Sequence, residues 1–425
     1  MAFKFFAFST KRYSSLTTDP AARISRKTVW MIWLATILSG FFMLQPSISS
    51  AGQDIPCLIN ITSKDALLVA GPDGRILYKK NETKRRIPAS TIKMLTALAA
   101  LNHFGPSYRF RTEFYTDSFQ NFKVKGYGDP LLTSEILQDL AGYLSTKILR
   151  FQDLILDNTY FSYHIRIPGS GNSTNPYDAP IGALCANFNT VFFRRDKKGS
   201  IISLERQTPM IPFARERIQS LGLKGGRHTF LHDPKDAARY AGELVLHFLR
   251  KRGVKSQGNI RFGPVRPGDT LIYACESIFT LETVIQKMLK SSSNFMANQI
   301  LIALGASVYG PPGTLAKGVR AVTDYAKDEL LLQNLQIVEG SGISRQNRIS
   351  ALEMLTILKE FRPYRHLLKR KDNVLYKTGS LKGIRTEVGY IRGDCQELYY
   401  FVIFFNRHKF DMNAAINCVK KAIAH

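Results

Sequence analysis

The chain has 425 residues, 44% of them hydrophobic and 22% charged, a globular balance that excludes a disordered chain. That length suffices for about two or three domains around a large core. A formal charge of +26 draws a protein toward anionic lipid headgroups or acidic wall polymers. The basic residues are spread along the chain and build no nucleic-acid module, so nucleic acid is not expected as a partner.

Residues 1–27 carry six basic residues against Asp19 alone, an apolar run extends from Val29 to Leu44, and the small residues Ser47-Ile48-Ser49-Ser50-Ala51 follow. Basic region, apolar stretch and small-x-small site read in that order as an export signal over 1–51, cut after Ala51. An uncleaved N-terminal anchor is the alternative, since the run is only slightly short of a span. Cleavage would remove six basic residues and one acidic residue, leaving +21. The expected location is the periplasm or the outer face of the cytoplasmic membrane. Export permits disulfides. The five cysteines, Cys57, Cys185, Cys275, Cys395 and Cys418, lack metal or redox spacing. They fit either bridges or small buried residues, and an odd one must remain.

Residues 66–78 predict a β-hairpin about Pro72-Asp73-Gly74, whose residues suit a tight turn. A helix is predicted over 90–103, stopped by Gly105-Pro106. Mixed strand and helix follow, with a turn at 126–130 and a helix over 134–146. Residues 166–180 are rich in Gly, Pro, Asn and Ser and read as a loop. Strand-like runs with basic turns occupy 186–232. Asp233-Pro234 starts a helix to about Arg252, with Pro where a missing N–H costs nothing. A helical block covers 281–307, and Ser350-Ala351-Leu352-Glu353 is a capping box for a helix over 351–360. Strands over 373–379, 385–392 and 397–405 and a helix over 412–423, capped by Asp411, end the chain. Both ends look ordered, so the middle reads as an insertion into a domain made from the two ends.

Three groups of residues carry chemistry. Ser90-Thr91-Ile92-Lys93 puts a hydroxyl and an amine on one helical face. Serine needs a base to become a nucleophile. Lysine serves as one only when neutral, which burial and a neighbouring cation both favour. Alone, the pattern is weak and more often marks an N-cap and a solvated lysine. Ser292-Ser293-Asn294 lies between helical segments. It offers a hydroxyl to pass a proton to a leaving amine and an amide to hold a substrate backbone. The same spacing at Ser170-Gly171-Asn172 falls in the loop and reads as a turn. Lys377-Thr378-Gly379-Ser380 lies on a strand-like run. Lysine and hydroxyls on an exposed edge suit a carboxylate, Gly379 admits a close backbone, and the Ser380 N–H suits an oxyanion. The set Ser-x-x-Lys, Ser-x-Asn, Lys-Thr-Gly is that of penicillin-binding and β-lactamase sites.

Longer stretches carry a closer likeness: IPASTIKMLTALAALNHFGPSYRFRT, GYGDPLLTSEIL, LILDNTYF, PYDAPIGALCANFN, MLKSSSNFMANQIL, VEGSGISRQNRIS and YKTGSLKGIRTEVGYI. Over nearly all of 57–421 the chain resembles the class C low-molecular-mass penicillin-binding proteins, the D-alanyl-D-alanine carboxypeptidase/endopeptidase family. The resemblance implies an α/β (α+β) penicillin-recognising, β-lactamase-like fold, an antiparallel sheet with helices on both faces. It implies a catalytic domain over 52–112 and 268–425, with an inserted domain over 113–267 and a smaller one nested at roughly 165–232. Ser293, Ser380 and Glu339 stand where the family often has Asp, Thr and Asp.

The roles implied are Ser90 as nucleophile, Lys93 as its base and Ser292 as proton relay. Asn294, Lys377, Thr378, Gly379 and Ser380 bind the substrate, and the N–H groups of Ser90 and Ser380 form the oxyanion hole. The partners expected are peptidoglycan stem peptides, with β-lactam antibiotics as inhibitors, and no cofactor or metal. The eight histidines show no ligand spacing. Two rivals are a β-lactamase, which needs a dedicated deacylation base, and a non-catalytic wall-binding scaffold, which leaves Ser90, Lys93 and Lys377 unexplained.

Overall fold

The computed structural model describes residues 61–408 and 410–423; the expected export segment and Cys57 lie outside them. The hairpin forms as β1 (Ala66–Ala70) and β2 (Ile76–Lys80). The predicted helix over 90–103 is a single 3-10 turn, Ala89–Ile92, followed by α1 (Lys93–Phe104). Next come β3 (Arg109–Thr116), β4 (Phe122–Gly126), α2 (Ser134–Leu144), β5 (Arg150–Phe151) and β6 (Leu154–Asp157). The predicted loop holds only a 3-10 turn, Pro176–Asp178.

Residues 186–232 form β7 (Val191–Arg195), β8 (Ile201–Ser203) and β9 (Gly226–His228), with an unforeseen helix α3 (Pro212–Ser220) among them. Then follow α4 (Pro234–Lys251), β10 (Lys255–Ser256), β11 (Ile260–Phe262) and β12 (Thr270–Thr280). The helical block splits into α5 (Leu281–Ser291) and α6 (Asn294–Tyr309). A further unpredicted helix, α7 (Leu315–Asp328), precedes α8 (Ala351–Phe361), whose capping box is present as expected. The chain closes with β13 (Lys369–Lys371), β14 (Val374–Leu381), β15 (Ile384–Arg392), β16 (Leu398–Phe405) and α9 (Met412–Ile423).

One sheet joins the two ends of the chain, in the order β13-β14-β15-β16-β1-β2, antiparallel throughout. Alternation along β1 explains why it is buried on both faces. Ala66, Leu68 and Ala70 face a core shared with α1, α5, α6 and α8, while Leu67 and Val69 face a second core with Ala415, Cys418 and Val419 of α9. The sheet therefore has helices on both sides. Phe401 and Phe404, one in each core, are fully buried, each contributing about 1.5–3 kcal/mol.

A second sheet, β11-β6-β4-β3-β12, mixes parallel pairs with antiparallel ones. It packs with α2 and α4 around its own core. The expected boundaries at 112/113 and 267/268 fall inside β3 and just ahead of β12. A three-stranded sheet, β8-β7-β9, lies in the same middle stretch. Among the described residues Cys185, Cys275 and Cys395 are free thiols, whereas Cys418 is disulfide-bonded. No described helix is long and apolar enough to cross a membrane.

Candidate active site

The site begins with a strained residue. Ala89 has φ +46° and is buried, a left-handed conformation that costs a residue with a Cβ roughly 1–2 kcal/mol. Two glycines press on the peptide that follows. A Cβ on Gly342 would lie 1.9 Å from the Ala89 carbonyl oxygen, and one on Gly379 would lie 2.8 Å from the Ser90 nitrogen. Thr91 Oγ1 and Thr386 Oγ1 both donate to the Pro88 carbonyl, at 2.8 and 2.7 Å, tying the turn to β15. Ser90 thus sits at the first turn of a helix, where N–H groups lack intrahelical partners.

Lys93 opens α1 with no exposed surface. Its Nζ lies 3.0 Å from Ser90 Oγ, 2.9 Å from Asn294 Oδ1 and 2.6 Å from the Ser341 carbonyl oxygen. Burial first, and then the ammonium of Lys377, hold its pKa well below the ordinary lysine value, with Glu339 pulling weakly the other way. A neutral amine has two N–H donors and one lone pair. Asn294 Oδ1 and the Ser341 carbonyl take the donors, and the lone pair is left for the Ser90 O–H.

Ser292 ends α5 in the left-handed region, at φ +59°, and its Oγ accepts from Lys377 Nζ at 2.8 Å. Ser293 caps α6, accepting from the Met296 N–H at 3.2 Å. Ser and Asp are equivalent as N-caps, so the missing carboxylate leaves the local turn intact. Asn294 follows as the first residue of α6. The alternative Ser170-Gly171-Asn172 is a loop turn pinned by Asp178, which accepts from the Gly171 N–H at 2.9 Å. Among the described residues no hydrogen bond joins it to Ser90, Lys93 or Lys377.

β14 carries the third group. β13 pairs only with Val374–Tyr376, so from Lys377 onward this side of β14 is open, as recognition of an extended ligand requires. Lys377 is 2% exposed, and its Nζ also donates to the Thr378 carbonyl at 2.6 Å. Burial, and secondarily Lys369, push its pKa down to about 7. Thr378 is half-buried and Ser380 exposed. Arg385, opposite Ser380 on β15, donates to the Ser380 hydroxyl. Gly379 has a reason beyond the expected substrate approach: it lets β14 close against the Ser90 turn.

The stretch VEGSGISRQNRIS, family-like in sequence but without an expected role, is the loop that holds these parts in register. Glu339 is wholly buried. Its carboxylate accepts from the N–H groups of Ser341, Gly342 and Ser344 at 2.7, 2.6 and 3.2 Å. It also accepts from Ser341 Oγ, Asn347 Nδ2 and Asn298 Nδ2 at 2.6, 2.7 and 3.2 Å. That fixes the Ser341 carbonyl on Lys93 and Gly342 against Ala89. The available signal was an acidic residue beside Gly340-Ser341-Gly342, which marks a folded-back loop.

A family description, the D-Ala-D-Ala carboxypeptidase 3 (S13) family, matches residues 68–221 and 220–368, well over half of the chain. The chain belongs to the S13 family. It is accordingly a serine-class D-alanyl-D-alanine carboxypeptidase. Ser90, Lys93, Ser292 and Asn294 lie within the matched residues; Lys377–Ser380 lie beyond them. The chain is 25% identical to the D-alanyl-D-alanine carboxypeptidase DacB of Haemophilus influenzae, over 86% of this chain and 91% of that protein. It is 25% identical to the D-alanyl-D-alanine carboxypeptidase of Actinomadura sp., over 67% and 62%. Its fold is that of penicillin-binding protein 4 from Haemophilus influenzae, with a TM-score of 0.70 at 21% identity, covering 87% of this chain and 98% of that one. A Bdellovibrio bacteriovorus predatory endopeptidase, solved with an immunity protein, superposes at a TM-score of 0.51 and 15% identity, over 84% and 92%.

Proposed function

We propose that Ser90 is the nucleophile of this S13 enzyme and Lys93 its general base. The observation that carries the proposal is the donor count at Lys93: both amine N–H groups have acceptors, and the third direction meets Ser90 Oγ at 3.0 Å. The Ser90 proton passes to Lys93 as Oγ bonds to the carbonyl carbon of the penultimate D-alanine. The N–H groups of Ser90 and Ser380 hold the oxyanion, each donor worth about 3 kcal/mol in comparable sites. Ser292, which accepts from Lys377, relays to the departing amine the proton that Lys93 took from Ser90, the C–N bond breaks, and water then cleaves the Ser90 ester. Asn294 orients Lys93 through Oδ1, leaving its Nδ2 for the stem peptide. Lys377, Thr378 and Ser380 bind the terminal carboxylate.

Peptidoglycan stem peptides are the substrates and β-lactams acylate the same serine. Penicillin-binding protein 4 of Haemophilus influenzae has been solved in complex with a β-lactam, which supports β-lactam binding here. Export across the cytoplasmic membrane, with 52–112 and 268–425 as catalytic domain and 113–267 as insertion, belongs to the same reading. Attraction to anionic wall polymers or lipid is the expected consequence of the charge.

The test is labelling with fluorescent penicillin, followed by mass spectrometry of digested muropeptides. Wild type should hold a long-lived adduct and release D-alanine, and Ser90→Ala should do neither while staying folded. An adduct on Ser90→Ala would overturn the assignment. Rapid drug turnover would indicate a β-lactamase, and no label on wild type a scaffold.

A further inference from the structure

Beside the Ser292–Lys377 contact the surface opens into a groove of about 820 Å³, walled by Lys290, Arg365, His366, Lys369, Arg370 and Arg392. Leu368, Leu375 and Tyr376 also line it and supply apolar surface. Its volume is typical of sites that enclose a whole small ligand rather than one side chain. Lys290 stands two residues before Ser292, and Leu375 two before Lys377, on the same face of β14. Groove and cleft therefore share both the end of α5 and the strand β14.

The charges are uncompensated. Among the described residues only His366 has a carboxylate partner, Glu282 at 2.9 Å. Arg365 and Arg370 donate to the backbone carbonyls of Arg362 and Asp372, and Arg392 to the Gln396 amide oxygen. All three acceptors are neutral. Guanidinium groups match carboxylates with paired N–H donors, and converging unpaired cations repel one another until an anion joins them.

We propose that this groove binds the carboxylates of a second stem peptide, on the leaving-group side of the scissile bond, so that cross-linked substrates are favoured over single stems. The inference rests on the role proposed for Ser292. If the departing amine collects its proton there, whatever that amine is attached to lies past Ser292, where the groove begins. In carboxypeptidase cleavage the amine belongs to a lone alanine. In endopeptidase cleavage it belongs to a diamino acid whose own stem carries further carboxylates. Only the second leaving group has additional anions for Arg365, Arg370 and Arg392.

The double variant Arg365→Gln/Arg370→Gln tests this, because both side chains lie at the surface and neither takes part in the proposed chemistry. Lys369 is left in place because it acts on Lys377. Rates are measured on a purified cross-linked muropeptide dimer and on an uncross-linked pentapeptide muropeptide, with penicillin acylation in parallel. The dimer should lose about tenfold in kcat/KM, mainly through KM, the loss expected for charge-assisted contacts. The pentapeptide and penicillin should stay within about twofold. Equal losses on both substrates, or none on the dimer, overturn the proposal. So does weaker binding to phosphatidylglycerol vesicles with dimer cleavage intact, which would make the groove a lipid site. A wild type that forms no penicillin adduct would instead remove the Ser90 reading, and this inference with it.

Discussion

Around Ser90 the neighbours are backbone and buried side chains: the Ala89 peptide between two glycines, the Pro88 carbonyl under two threonines, and Lys93 enclosed by Asn294 and Ser341. Around Lys377–Ser380 the strand is open on one side, and the hydroxyls of Thr378 and Ser380 reach solvent while Lys377 stays buried beneath them. Both regions hold a lysine whose proton is loosely kept, and burial is the leading cause in each. They differ in what burial serves. At Lys93 it favours the neutral amine that the proposed base requires, and the surrounding bonds fix where that amine points. At Lys377 it leaves a cation whose charge is balanced near neutrality, ready to be restored by an arriving carboxylate. On the proposed function, chemistry falls to the over-determined region and recognition to the open one.

The contrast breaks first at Lys377. Lys377→Ala should lower kcat/KM for a carboxylate substrate by about a hundredfold near pH 7, the loss of a buried charge-assisted contact. The pH profile carries the sharper information. In wild type the rate rises with pH as Lys93 becomes neutral, and falls again as Lys377 loses its charge around pH 7. The variant lacks the ammonium that repels a proton from Lys93, so Lys93 holds its proton to higher pH and the rising limb moves up. The falling limb disappears. A rising limb that stays put would assign the base's depressed pKa to burial alone.

A smaller effect sharpens the other side. Glu339→Gln exchanges one acceptor oxygen for an N–H₂ group facing the donors of 341–347, and should destabilise the fold by about 3 kcal/mol in denaturant titration. Penicillin acylation should slow about tenfold, because the Ser341 carbonyl and Gly342 would shift. Full stability loss with unchanged acylation would show that the loop does not position Lys93. Least of all, Ser293→Ala should cost about 1 kcal/mol of stability, with acylation unchanged within about twofold. A larger kinetic loss would give Ser293 a part in the chemistry.

Much of this was legible as spacing. Ser90 and Lys93 share a helical face, the capping box starts α8, Asp411 accepts from the Ala414 N–H at 2.9 Å, and the terminal strands form within a residue or two of their expected bounds. What escaped was non-local or had no side-chain signature. The Ser341 acceptor for Lys93 is a backbone carbonyl 248 residues away, which no pattern encodes. The parallel pairing of β6 with β4 and β11 depends on chain crossovers. The left-handed Ala89 is invisible because alanine does not favour that conformation; only Gly342 packed against it reveals the constraint. A glycine on an edge strand signals space for a substrate, whereas the nearest neighbours of Gly379 belong to the protein's own Ser90 turn and to Thr386.

The open stretch of β14 also bears on the protein's life in solution. An unpaired strand edge is a template on which a second copy can add itself, the first step toward aggregation. Here the edge is bracketed by Lys369, Arg370 and Lys371 at one end and by Lys382 and Arg385 at the other. Two such edges approaching one another bring like charges together, while a short anionic peptide meets the opposite sign. One charge pattern thus suits the proposed anionic substrate and discourages self-association. Neutralising it for crystallisation or expression would remove both properties at once.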